Sequence, residues 1–289
     1  MKKKLGISFI VIACILFGIA TIDLIMPGKG SVLSRINKLG LSIDDFELIS
    51  RTEGNENYSR LKLDFKNNSK YDIVQIKATY KVKENLSKKE KELFKEILEE
   101  EDNKDINPSD INIRIDQDSL IKKGKTYKNI SFLEFSDDER SYMFGDITED
   151  IFKLMKVKEL SIAAIAEDGQ VYLATYSERK KSWDIEKANG KANIWPKDHQ
   201  LTSEISPPPF EYFIVVEGLY GSDLNFKAYD ITKEDYVNYV KKMKTAGFSK
   251  GASKDYETSG YLTATNSNGR EITIVYYPLD EKITVSISL

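Results

Sequence analysis

The chain of 289 residues contains one cysteine, Cys14, and one histidine, His199. A single thiol cannot close an intrachain disulfide, and these two residues cannot by themselves build a structural zinc cage. Stability must therefore come from packing. Excess charge is also missing. Lys and Arg number 43 against 46 Asp and Glu, a net charge of −3, too balanced to supply the attraction that dominates nucleic-acid binding. Nucleic acid is not an expected partner.

Catalytic signatures are equally scarce. Ser119-Leu120-Ile121-Lys122 has the Ser-x-x-Lys spacing of penicillin-binding enzymes, but lies among strand and turn signals where residues three apart point to opposite faces. No Ser-Asp-Asn or Lys-Thr-Gly element accompanies it. A calcium loop begun at Asp102 would place Asn107 where glycine is needed and Ile113 where the bidentate Glu belongs. Gly218-Leu219-Tyr220-Gly221 lacks the Lys-Ser/Thr of a phosphate loop. Acidic residues abound, yet nothing selects a pair for sugar hydrolysis. The expectation is a protein that is not an enzyme, with no cofactor and no metal.

What is present begins with an address. Lys2, Lys3 and Lys4 precede an almost unbroken apolar run, Leu5 to Ile22, which as a helix would span about 27 Å, close to the hydrocarbon thickness of a bilayer. Basic residues before such a run mark export. Three fates compete. An uncleaved helix would anchor the chain; Gly18-Ile19-Ala20 offers a cleavage site before Thr21; Val11-Ile12-Ala13-Cys14 resembles a lipobox, which would make Cys14 a lipid-bearing N-terminus. Lys29, Arg35 and Lys38 nearly balance the first three lysines in the positive-inside count, and the N-terminal amine tips it inward. The folded domains are thus expected outside the cytoplasm on a single-pass membrane protein. Residues 1–26 are read as the signal or anchor and 27–40 as a tether.

Beyond the tether the period is two. Leu61, Leu63 and Phe65 alternate with charged residues, and Val74, Ile76, Ala78, Tyr80 and Val82 do the same after the turn at Asn67-Asn68-Ser69-Lys70. This pattern predicts an antiparallel pair. Ser87-Lys88-Lys89-Glu90 forms a capping box opening a helix to about Glu101. Strands follow at 111–116 and 127–135, then a short helix near 148–155 and a hairpin, 157–166 with 171–176, closed by Asp168-Gly169 with positive φ at both. Residues 41–182 read as a β-sandwich with a helical insertion. The stretch 183–209, ending in Ser206-Pro207-Pro208-Pro209, reads as a linker. Residues 210–289 give the order ββαβββ, a small α+β domain whose helix is capped by Thr232 and stopped by Gly247. The fold class is mainly β.

Two resemblances follow from these residues. Asn67-Asn68-Ser69 between alternating strands, with Gly124-Lys125-Thr126 before Phe132, resembles the FxLYD-type sandwich of bacterial surface proteins over 45–176. That likeness implies an extracytoplasmic adhesive or accessory module without an active site. The run Tyr236 to Phe248, followed by Tyr261, Asn268-Gly269 and a terminal strand, resembles a C-terminal domain of unknown function in Firmicutes lipoproteins, covering 210–289. Abundant Lys, Asn and Ile match the usage of a low-GC Gram-positive bacterium. Tyr276 and Tyr277, adjacent on one strand, must face opposite sides of the sheet, which makes them candidates for an exposed contact.

The expected function is therefore an anchored, non-catalytic binding protein of the cell envelope, with a protein or envelope polymer as partner. A carboxylate-dependent envelope hydrolase and an accessory subunit of a transport or secretion system are the alternatives. The mass of the mature N-terminus decides the anchor. An intact Leu5 to Ile22 run is expected; a free Thr21 or a lipidated Cys14 would replace anchoring by cleavage or by lipid.

Overall fold

The computed structural model describes residues 39–55, 58–100, 111–136, 149–197, 199–203, 205–217, 224–255 and 260–288. The expected anchor lies outside these residues, as do Cys14 and most of the tether. The protein is mainly β with antiparallel strands. It divides into two compact units, residues 33–166 with 172–186, and residues 187–289 with 167–171.

In the first unit, β1 (Phe46–Asn55), β2 (Tyr58–Asn67) and β5 (Thr126–Ile130) form a three-stranded sheet in the order β1-β2-β5. The second sheet includes β3 (Asp72–Val82), β4 (Ile111–Gln117), β6 (Phe132–Ser136), β7 (Met155–Ile165), β8 (Gln170–Ser177) and β9 (Ser182–Ala192), in the order β9-β8-β7-β3-β4-β6, and continues beyond β9. Leu61, Leu63 and Phe65 of β2 share one core with Ile73, Ile76, Ile113, Ile115 and Ile162 of the second sheet, as the period of two demands. Between β3 and β4 stands α1 (Lys88–Glu100), opened by the expected box: Ser87 N donates to Glu90 Oε2 at 2.6 Å and Glu90 N to Ser87 Oγ at 3.3 Å. Its Phe94 is buried in the core. A short α2 (Glu149–Phe152) precedes β7.

The expected pairing of β2 with β3 is not what forms. The two strands belong to different sheets, because the turn between them is a corner tied by a buried side chain. Asn67 Nδ2 donates to the Tyr71 carbonyl at 2.8 Å and to the Ile121 carbonyl at 3.0 Å. Its Oδ1 accepts from Ser69 N at 3.1 Å and from Ser69 Oγ at 2.7 Å. Ile121 in turn exchanges backbone hydrogen bonds with Ile73 of β3, so one carboxamide links the end of the first sheet to the start of the second.

The turn at Asp168-Gly169 also differs in detail. Only Gly169 has positive φ, +77°, while Asp168 Oδ1 accepts from Gln170 N at 3.0 Å, an Asx arrangement that a four-residue loop permits. The stretch 183–209 is not a linker. Ser182–Ala192 is strand β9, whose Trp183 is buried in the first core, and Leu201 and Ile205 are buried in the second. Alternation of Trp183 and Ile185 with polar neighbours carried that signal; the prolines further on masked it.

In the second unit the described strands are β10 (Tyr212–Glu217), β11 (Leu224–Tyr229), β12 (Lys250–Asp255), β13 (Gly260–Thr265), β14 (Glu271–Tyr277) and β15 (Lys282–Ser288). Their order is β12-β13-β14-β15-β11-β10, with β9 pairing β10 through residues 190–192. Against them packs α3 (Lys233–Thr245), where Thr232 and Asp235 make a reciprocal capping box. Gly247, at φ +103°, ends it in a Schellman turn: Phe248 N donates to Met243 O and Gly247 N to Lys244 O. Strand β12 is one strand more than the sequence pattern suggested. Lys250-Gly251-Ala252-Ser253 has no apolar alternation, and the strand is held by backbone pairing with β13 alone as an edge. A side chain at Gly251 would collide with the Thr263 carbonyl.

Asn67→Ala would take a donor from the Tyr71 carbonyl, which keeps Ser69 Oγ, and from the Ile121 carbonyl, which keeps Ile73 N, at a cost of about 2 kcal/mol for the hydrogen bonds lost. The exposed Asn68→Ala should change stability by less than about 0.5 kcal/mol. Urea midpoints of the two variants test the corner; equal midpoints would refute it.

Candidate binding cleft

The first unit carries an open cleft of about 540 Å³, within the range of about 300–1,000 Å³ usual for ligand pockets. One wall is β1, through Phe46, Leu48 and Ser50; the facing wall is β7, through Met155, Val157 and Leu160. Phe152 and Lys153 beside α2, with Tyr80 of β3, close the rest. The walls exist because both strands bury alternate residues towards the space between the sheets. Phe46 is fixed by rings on two sides, Phe65 at 6.0 Å stacked and Trp183 at 5.8 Å edge-on. Tyr80 and Phe152 sit 5.5 Å apart.

Charges gather at the mouth. Lys156 Nζ reaches Glu178 at 3.0 Å and Glu84 at 3.7 Å; the Glu178 hydrogen bond, more than Glu84, raises its pKa above the ordinary lysine value. Lys153 Nζ lies 3.1 Å from Glu149 and 3.2 Å from Asp150, which raise its pKa in the same way. Glu84 is held below the usual carboxylate range by Lys81, 2.8 Å away, and then by Lys156. Burial pushes the Tyr80 phenol far up. These groups stay lysine cations, carboxylate anion and neutral phenol near neutral pH. A base or nucleophile needs a shift the other way. The arrangement suits an apolar body held beside fixed charges.

No family model matches the chain, and no curated protein matches it.

The residues singled out from the sequence lie elsewhere. Tyr276 is buried, stacked on Tyr236 with ring centroids 5.2 Å apart and planes 11° from parallel, which removes it from exposed contacts. Burial, then Glu281 and Asp235, raise its pKa. Tyr277 faces the opposite side, half-buried, with Lys282 Nζ 4.8 Å from its ring centroid. His199 Nδ1 accepts from Leu201 N at 3.2 Å in a half-buried turn. Ser119 is buried, its hydroxyl 2.7 Å from Gln117 Nε2 and 3.1 Å from Tyr127 Oη. The calcium-like run beyond Glu100 and Cys14 lie outside the described residues. Among the described residues no group of three or more His, Cys, Asp or Glu could hold a metal ion, and no helix is long and apolar enough to cross a membrane.

Sequence reading missed the cleft because it missed β1. Phe46, Leu48 and Ser50 do alternate with Glu47, Ile49 and Arg51, but Ile49 stands on the outer face and Ser50 on the inner one, which blurs the period.

Proposed function

We propose that the chain is an extracytoplasmic, membrane-anchored, non-catalytic binding protein of the bacterial cell envelope, and that the cleft of its first unit is the binding site. The chain would then consist of an N-terminal anchor, a β-sandwich with a helical insertion and a small α+β domain. The single observation carrying the binding role is the cleft itself. Its lining mixes apolar side chains, among them Phe46, Leu48 and Val157, with polar ones, among them Ser50 and Lys153, and Lys153 is held in its charged state by Glu149 and Asp150. The location rests on Lys2 to Lys4 before the apolar run from Leu5 to Ile22. The likeness to FxLYD-type surface modules favours the same setting, with a protein or an envelope polymer as the bound partner.

A photoreactive residue at Val157, in the cleft wall, should capture a discrete partner in the native cell, and the same residue at the exposed Arg179 should not. Identical adduct patterns from both positions, or none from either, would remove the cleft as a binding site.

A further inference from the structure

Among the described residues the cleft lies beside a strand edge that has no neighbour. In the order β1-β2-β5, strand β1 has a neighbour on one side only. Its pairing with β2 runs over ten consecutive positions without a bulge. The hydrogen-bond phase is fixed by Asn68 N donating to Asp45 O, and by Asn67 turning its own N–H to Lys125 O on the β5 side. By alternation, Glu47, Ile49, Arg51 and Glu53 bond to β2, and Leu48, Ser50 and Thr52 point N–H and C=O away from it. The outward N–H of Phe46 is taken by Ile43 O. Among the described residues nothing takes the outward groups of Leu48, Ser50 and Thr52. Natural sheet edges are usually blunted by proline, a bulge or a covering segment. Proline and bulge are missing from β1, and α2, which supplies part of the cleft wall, bonds to none of these groups.

The same residues that offer free backbone also line the cleft. Leu48 and Ser50 turn their side chains into it. In the second sheet β7 is followed by β8 and β9, and β7 presents the half-buried Val157, next to the buried Met155, with no described strand of the first sheet beyond β1. The geometry points to an extended strand of a partner polypeptide as the occupant. It hydrogen-bonds to Leu48, Ser50 and Thr52 and places alternate apolar side chains against Val157 and Met155. This rests on the cleft being the binding site. Charge adds a second feature. Glu47 and Glu53, 55% and 60% exposed, stand on the outer face of β1, loosely paired with Lys66 at 3.6 Å and Lys62 at 3.7 Å of β2, and Arg51 is engaged by Asp64. A basic residue between the apolar ones of the partner would meet each of these exposed carboxylates as a second cation. A second copy of the chain fits less well. Its own Phe46 is packed against Phe65 and Trp183, and a three-residue edge buries far less than the roughly 1,000 Å² of a stable interface.

The test uses the full chain in detergent micelles and a pool of fluorescent nonapeptides. Val, Leu, Ile, Phe or Tyr occupy alternate positions with Lys or Thr between, and a scrambled pool of equal composition serves as reference. Fluorescence anisotropy should show binding at least tenfold tighter for the alternating pool. Ser50→Pro removes an outward N–H and spares the ladder to β2, and should weaken binding at least tenfold. So should N-methylation of one alternating set of amides in the best peptide, while the other set is tolerated. That second measurement needs no protein variant to fold. Binding no tighter than that of the scrambled pool overturns strand addition. Binding lost in Val157→Lys but indifferent to Ser50→Pro and to both N-methyl sets overturns it and leaves the cleft as the site. Binding indifferent to Val157→Lys overturns both. A peptide-free dimer abolished by Ser50→Pro makes the occupant a second copy and overturns it too.

Discussion

The carboxamide of Asn67 is the interaction on which the first unit depends. A strand that leaves one sheet and enters another must turn its backbone through the core boundary, where unpaired carbonyls are costly. Asn67 adds a donor to two carbonyls there, at Tyr71 and at Ile121, which also accepts from Ile73 N, while Ser69 closes on its oxygen. Its own backbone pairs with Gly124 and Lys125. One side chain thus joins the end of β2, the start of β3 and the segment before β5. Neither aspartate nor leucine could do this, one lacking donors and the other all polarity.

The corner separates the sheets, and the cleft lies between them. Among the described residues β1 is the last strand of the three on that side, and Val157 of β7 lies half-buried in the cleft there beside the buried Met155. An open apolar wall invites water and aggregation unless its rim is polar. Lys153 supplies such a polar group, held by Glu149 and Asp150. Apolar side chains, nearby charges and, among the described residues, a strand edge without a neighbour meet at the cleft.

Local features were legible in the sequence wherever one residue dictates one geometry. The capping boxes at Ser87–Glu90 and Thr232–Asp235 form as their spacing requires, and Gly247 stops α3. Strands with clean alternation, such as Leu61 to Phe65, were found. Pairing was not legible, since alternation states which residues are buried and not which strand lies alongside. Asn67 looked like an ordinary turn residue because its two carbonyl partners, one of them 54 residues distant, appear only once the chain is folded. Strand β12 carries no apolar period at all, and the cleft needs β1, whose Ile49 and Ser50 reverse the expected faces.

The central claim is that β1 keeps one side of its backbone free. Residue-resolved amide exchange on the unliganded chain tests this most directly. Ile49 and Arg51, bonded to β2, should be protected, and Leu48, Ser50 and Thr52 should exchange at least about tenfold faster. Uniform protection from Leu48 to Thr52 in the free protein would contradict the account, because the edge would then already be covered.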